Sequence, residues 1–161
     1  DARLVVTDVF DGALDRARDL GLKIVKPDEI YGVDCDIFSP CALGGVISPE
    51  TIPQLKCKVV AGGANNQLLS DSDGEALHRL GIVYGPDYIL NSGGIINVES
   101  EIYGGYNADR AREKTERVYE TMQQVISISK SQEIPTAKAA DHLAEARLAS
   151  VRGIRRVYRK D

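Results

Sequence analysis

Short apolar, β-branched runs alternate with amphipathic stretches along the first two-thirds of the chain, and few folds accommodate that pattern. The runs fall at residues 4–7, 22–25, 36–39, 58–61, 82–84 and 88–90. Residues 4–7 read as a strand buried on both faces, closed by Asp8. A helix is expected next, with Asp11 as its N-cap, Ala13, Leu14, Ala17 and Leu20 on one face, and Gly21 as a left-handed C-cap. A second amphipathic stretch covers 73–80. Strands that alternate with helices imply an α/β fold with a doubly wound parallel sheet.

Glycine marks one edge of that sheet. Eight of the 15 glycines form four pairs, Gly44-Gly45, Gly62-Gly63, Gly93-Gly94 and Gly104-Gly105, and three pairs lie at or soon after an expected strand. Paired glycine permits positive φ and close approach of backbone to a ligand, and open α/β sheets bind ligands outside the carboxyl ends of their strands.

Composition narrows the partners. Across 161 residues the net charge is -4, which argues against nucleic acid or an anionic membrane chosen by bulk electrostatics. No apolar run reaches the ~20 residues of a membrane span. Cys35, Cys41 and Cys57 are odd in number and never spaced Cys-x-x-Cys, so a reducing, cytoplasmic compartment is expected rather than a disulfide framework or structural zinc. The chain opens at Asp1 without an initiator Met and runs straight into an apolar strand, so it is expected to be a piece of a longer protein.

From Asn107 onward the pattern is helical. Ala111, Thr115, Val118, Met122, Val125 and Ser129 form one stripe, with Arg112, Glu113, Glu116 and Glu120 facing elsewhere. Pro135 ends this helix, and Thr136 can cap a second that carries Ala137, Ala140 and Ala144 before Leu148 and Val151. Residues 135–161 hold seven basic and three acidic residues with Tyr158 as their single interleaved aromatic, so a solvated or subunit-facing surface is the expectation. The expected division is a partial ligand-binding domain over 1–106 and a helical segment over 107–161.

Asp8 is the most informative position. An acid at the end of the second strand of a dinucleotide-binding fold accepts hydrogen bonds from the adenosine ribose, and its charge repels a 2′-phosphate. The glycine-rich phosphate loop lies ~20 residues earlier in such folds, which is before residue 1. The same Asp8 could be a helix cap or a turn residue. Asn65 and Asn66 after one expected strand, and Asn91 after another, offer the paired donors and acceptors that hold a carboxamide and a ribose in fixed orientation. Asn91 lies two residues before Gly93-Gly94 and shortly before an expected helix over 95–103, whose positive end would face the same cleft. His78 and His142 are too few and too far apart for a metal site and read as surface or packing residues. Cys41 lacks a nearby His that could activate it as a nucleophile.

At these motifs the sequence resembles the amino-acid dehydrogenase family, most closely its leucine dehydrogenase branch. The matching stretches are VVTD at 5–8, CDIFSPCALGGVI at 35–47, TIPQLKCKVVAGGANNQL at 51–68, LGIVYGPDYILNSGGIINV at 80–98 and IPTAKAAD at 134–141. The resemblance implies NAD-dependent oxidative deamination of an L-amino acid to a 2-oxo acid and ammonia. It implies cofactor contacts at Asp8, Val9, Cys41, Ala42, Asn65 and Asn91, with Asp8 as the ribose-binding acid, Cys41 and Ala42 in the loop under the cofactor, and Asn91 on the nicotinamide carboxamide. Asn66 would lie on the substrate side, and Ile95 would line the side-chain pocket. It also implies a homo-oligomer.

The departure is the glycine-rich loop and the catalytic lysines and aspartate of the family's amino-terminal domain, which have no counterpart in this sequence. The expectation is a Rossmann-like sheet lacking its first strand and glycine-rich loop, followed by C-terminal helices, with no catalytic residue in the chain. Phenylalanine, tryptophan and glutamate dehydrogenases are the alternatives within the family, and the absence of a basic residue in 88–98 disfavours a dicarboxylate. A receiver-type phosphorylation module would also be α/β, but the later strand ends carry Ser39, Gly62 and Asn91 in place of its acidic and lysine residues. A non-catalytic dinucleotide sensor is a further alternative.

Overall fold

The structure is a computed structural model that describes residues 2–102 and 105–157. Tyr103, the expected end of a helix, and Gly104 of the fourth glycine pair lie outside the described residues, as do residues 158–161 of the helical segment.

Every strand pairing among the described residues is parallel. β1 (Val5–Val6) pairs with β2 (Lys23–Ile24), and a second sheet has the order β3 (Ile37–Phe38), β4 (Val59–Val60), β5 (Val83–Tyr84). Isolated parallel bridges at Asp34↔Lys56 and Ile47↔Leu68 extend the contact between β3 and β4 on both sides. Helices connect the strands, as the alternating pattern requires: α1 (Asp11–Asp19) joins β1 to β2 and α2 (Asp71–Arg79) joins β4 to β5. The expected strand at 4–7 is not buried on both faces: Val5 and Val6 are half-buried and Leu4 is exposed, and among the described residues β1 is also paired along one edge alone.

The core lies against the three-stranded sheet. Ile47, Ile52, Cys57, Val60, Leu77, Ile82 and Tyr84 form one buried cluster, and full burial of side chains such as Ile47 and Leu77 stabilises the fold by roughly 2–3 kcal/mol each. Ser70 and Asp73 fix the start of α2, with the Ser70 N–H donating to Asp73 Oδ2 at 2.7 Å. Gly21 has φ +69°, the left-handed end expected of α1.

Three local expectations are corrected. Phe10, not Asp11, is the N-cap of α1, because Asp8 Oδ1 accepts the Phe10 N–H at 2.9 Å and closes a turn before the helix. Asp11 then sits in the first turn, where its charge faces the positive helix end. The apolar run at 88–90 is not a strand but part of a short helix, α3 (Asp87–Leu90), started by Pro86, whose carbonyl accepts the Ile89 and Leu90 N–H groups at 3.0 and 3.1 Å. Gly93 and Gly94 belong to the first turn of the next helix, α4 (Gly93–Ile102), and neither has positive φ.

Two long helices follow, α5 (Ala108–Gln132) and α6 (Thr136–Val157). Asn107 caps α5 by accepting the Arg110 N–H at 2.9 Å, and Glu133 ends it at φ 53°. Val125 packs against Ala139 and Ala140, so the small residues of α6 do permit close approach at its start. Farther along, Ala144, Leu148 and Val151 are exposed. Thr136 does not cap α6. Its hydroxyl donates to the Tyr84 carbonyl at 2.5 Å and ties the helix to the end of β5. Tyr88 adds a donation to the Ala137 carbonyl at 3.3 Å, and Lys138 pairs with Glu75 of α2 at 2.5 Å. No helix among the described residues is long and apolar enough to cross a membrane.

Candidate functional site

Because the strands are parallel, β3, β4 and β5 all deliver their carboxyl ends to one edge, and the loops leaving them are stitched together. The Ala64 N–H donates to the Pro40 carbonyl at 3.0 Å, Gly45 to Asn66 at 2.7 Å, and Ile47 to Gln67 at 2.9 Å. The glycines make this possible. A Cβ on Gly62 would lie 2.0 Å from the Pro40 carbonyl oxygen, and one on Gly44 would lie 2.8 Å from the Asn65 and Asn66 carbonyl oxygens. Two of the glycine pairs thus serve loop-to-loop contact, where the sequence pointed to approach by a ligand.

The amides gather on this edge. Asn91, the C-cap of α3, donates from Nδ2 to Asn65 Oδ1, which joins the loop after β4 to the turn after α3. Asn66 takes the left-handed conformation, φ 52°, and its N–H donates to Asp87 Oδ2 at 2.7 Å. Asn65 and Asn66 are exposed and Asn91 is half-buried, so the three carboxamides border solvent. Asn91 therefore reaches the edge from a helix end rather than a strand end. Cys41 and Ala42 are exposed on the loop stitched to 64–67, and Cys41 Sγ lies 3.4 Å from Ser39 Oγ with no His beside it in any hydrogen bond.

Two residues of this edge escaped the sequence reading. Gln67 is fully buried and donates from Nε2 to the Gly62 and Ala64 carbonyls at 2.7 and 2.9 Å, while its Oε1 has no partner among the described residues. Asp87 receives the Asn66 N–H on one oxygen and the Tyr84 hydroxyl at 2.8 Å on the other. Burial, and then the carboxylate it donates to, push the Tyr84 phenol far above its ordinary range, so it remains a donor to Asp87. The only signals were the run Asn65-Asn66-Gln67 and the Pro86-Asp87 pair that opens a helix.

Three of the expected positions, Asp8, Val9 and Ile95, stand apart. Asp8 and the 90 % exposed Val9 follow β1 in the other sheet, and among the described residues no hydrogen bond links them to the amides. One Asp8 oxygen holds the Phe10 N–H, and the other has no partner among the described residues. Ile95 is exposed and lines an open groove of about 540 Å³ between α3, α4 and α5, where Glu99 pairs with Lys114 and Arg147 forms part of the rim. His78 and His142 are both exposed, and no group of three His, Cys, Asp or Glu among the described residues could hold a metal.

A family model described as Glutamate/Leucine/Phenylalanine/Valine dehydrogenase matches residues 8–160. The chain belongs to this family. It is 53 % identical over 158 residues to a leucine dehydrogenase of Bacillus cereus, an alignment that covers 98 % of this chain and 43 % of the relative. The chain therefore spans well under half the length of the curated relatives it matches. A solved L-tryptophan dehydrogenase from Nostoc punctiforme superimposes with a TM-score of 0.90 at 41 % identity, covering 93 % of this chain and 46 % of that one. A glutamate dehydrogenase from Peptoniphilus asaccharolyticus has a TM-score of 0.61 at 20 % identity, covering 94 % of this chain and 36 % of that one, a likeness of fold alone. Within the Glutamate/Leucine/Phenylalanine/Valine dehydrogenase family, the stretches that carry the sequence resemblance include β1, β3, β4, β5, the stitched loops and the start of α6.

Proposed function

We propose that the chain is the cofactor-binding part of an NAD-dependent L-amino acid dehydrogenase that deaminates a leucine-type, branched-chain substrate to a 2-oxo acid and ammonia. The observation that carries this reading is the joining of Asn65, Asn66 and Asn91 at the carboxyl edge of a parallel sheet in a chain of this family.

The donor set suits a dinucleotide. Asp8 offers ribose hydroxyls a carboxylate oxygen that has no partner among the described residues, and its charge disfavours a 2′-phosphate. Val9, exposed beside it, gives the adenine an apolar surface. Cys41 and Ala42 form the floor of the site. Asn91 holds a carboxamide by donating and accepting, with Asn65 fixing its rotamer and itself meeting ribose. When bound, the nicotinamide accepts the hydride that leaves the substrate α-carbon. Asn66 orients the substrate side, and Ile95 presents an apolar wall to the substrate side chain. No catalytic acid or base is assigned to this chain.

The proposed division is a partial cofactor domain over 1–106 and a helical segment over 107–161, a reading supported by the bonds of Thr136 to Tyr84 and of Tyr88 to Ala137. The whole protein works in the cytoplasm as a homo-oligomer. The likeness to L-tryptophan dehydrogenase supports a second reading, an aromatic substrate in the same site. The full-length protein assayed for NAD reduction against a panel of branched-chain, aromatic and acidic L-amino acids separates them. Fastest turnover with leucine supports the first reading, fastest turnover with tryptophan or phenylalanine supports the second, and no turnover with any of them refutes both.

A further inference from the structure

We infer that Cys35 and Cys57 are a cross-strand thiol pair that a low-molecular-weight disulfide converts to an intramolecular disulfide. The register places them opposite each other. Asp34 bridges Lys56 and Ile37 pairs with Val59 with the same offset, so no bulge intervenes and Cys35 faces Cys57 across the β3–β4 contact. Neighbouring strands lie about 4.8 Å apart, and opposed residues of parallel strands project from the same face. That spacing falls inside the roughly 4.4–6.8 Å between Cα atoms that a disulfide spans.

Packing agrees with the register. Cys57 is buried in the core cluster, and Cys35, half-buried, packs against that same cluster. Negative charge at Cys35 also acts on the Cys57 thiol. The third cysteine is no competitor. Cys41 is exposed beyond the carboxyl end of β3, whereas Cys35 and Cys57 lie at the opposite ends of β3 and β4, away from the amide edge.

The half-buried Cys35 is the entry point. Its thiolate attacks one sulfur of the small disulfide, that S–S bond breaks, and one small thiolate departs, leaving Cys35 in a mixed disulfide. The Cys57 thiolate then attacks the Cys35 sulfur and expels the second small thiolate. The two protein protons end on the two released thiols, and two electrons pass from the cysteine pair to the small disulfide. Burial raises both thiols, and Asp34 and Asp36 raise Cys35 further, so exchange at neutral pH is slow.

The test treats the full-length native protein with oxidised glutathione, alkylates the remaining thiols, and sequences the peptides by mass spectrometry. The expected product joins the Cys35 and Cys57 peptides through a disulfide, two hydrogens lighter than the dithiol. In Cys57→Ser, Cys35 instead retains one glutathione. Recovery of both Cys35 and Cys57 in alkylated form when Cys41 has already acquired glutathione overturns the proposal, as does a stable glutathione adduct on Cys35 of the unsubstituted protein.

Discussion

Asn66 stands at φ 52° and its N–H donates to Asp87 Oδ2 at 2.7 Å, so the loop after β4 takes its shape from the helix turn after β5. The same carboxylate accepts the Tyr84 hydroxyl, and the Tyr84 carbonyl accepts the Thr136 hydroxyl. A chain of three hydrogen bonds therefore runs from the amide edge to the start of α6.

Asp87→Ala removes two hydrogen bonds to a charged acceptor and leaves the Asn66 N–H unanchored. The expected loss is about 2–4 kcal/mol of unfolding free energy. Urea denaturation checks it: the midpoint falls at unchanged slope. An unchanged midpoint would show that the link does not hold the loop.

Gly62 and Gly63 are adjacent but not equivalent. Alanine at Gly62 drives its Cβ into the Pro40 backbone, whereas at Gly63 the nearest atom is Cys41 Sγ at 4.0 Å. Gly62→Ala is expected to destabilise by at least about 1–3 kcal/mol and Gly63→Ala by much less. Thermal unfolding of the two variants side by side measures the difference, and equal melting temperatures would contradict the packing described.

Burial, followed by the Asp141, Asp87 and Asp71 carboxylates, pushes the Tyr88 phenol up to about 12, against an unfolded value near 10. A raised folded pKa means the fold favours the neutral phenol. Its contribution to stability is therefore complete below about pH 10 and is lost as pH rises through about 12. Ultraviolet titration should show a phenolate step near 12 that Tyr88→Phe removes. Ionisation of Tyr88 near 10 would contradict the partial desolvation and the carboxylate surroundings of its hydroxyl.

Much of this was legible in the sequence, because periodicity and turn chemistry are local. The five strand positions from 4–7 to 82–84, the positive φ of Gly21 and the start of the helical pattern at Asn107 follow from such signals. The apolar run at 88–90 failed because a short apolar stretch fits helix and strand equally, and Pro86 decided between them. Thr136 carried a capping signature, but tertiary contact claimed its hydroxyl. Asp87 and Gln67 were invisible for a related reason. Their partners lie in other loops or in backbone carbonyls that only the folded turn presents. The glycine pairs were legible as close approach, but not what approaches: at Gly62 it is Pro40.

The proposed NAD site runs from Asp8, after β1, to the Asn65, Asn66 and Asn91 amides at the carboxyl edge of the other sheet, and titration calorimetry of the full-length protein with NAD and NADP tests it most directly. NAD should bind at least about tenfold more tightly than NADP, since the Asp8 carboxylate repels a 2′-phosphate, and Asp8→Ser should narrow that gap. Equal affinities for the two cofactors, or no binding of NAD, would contradict the account.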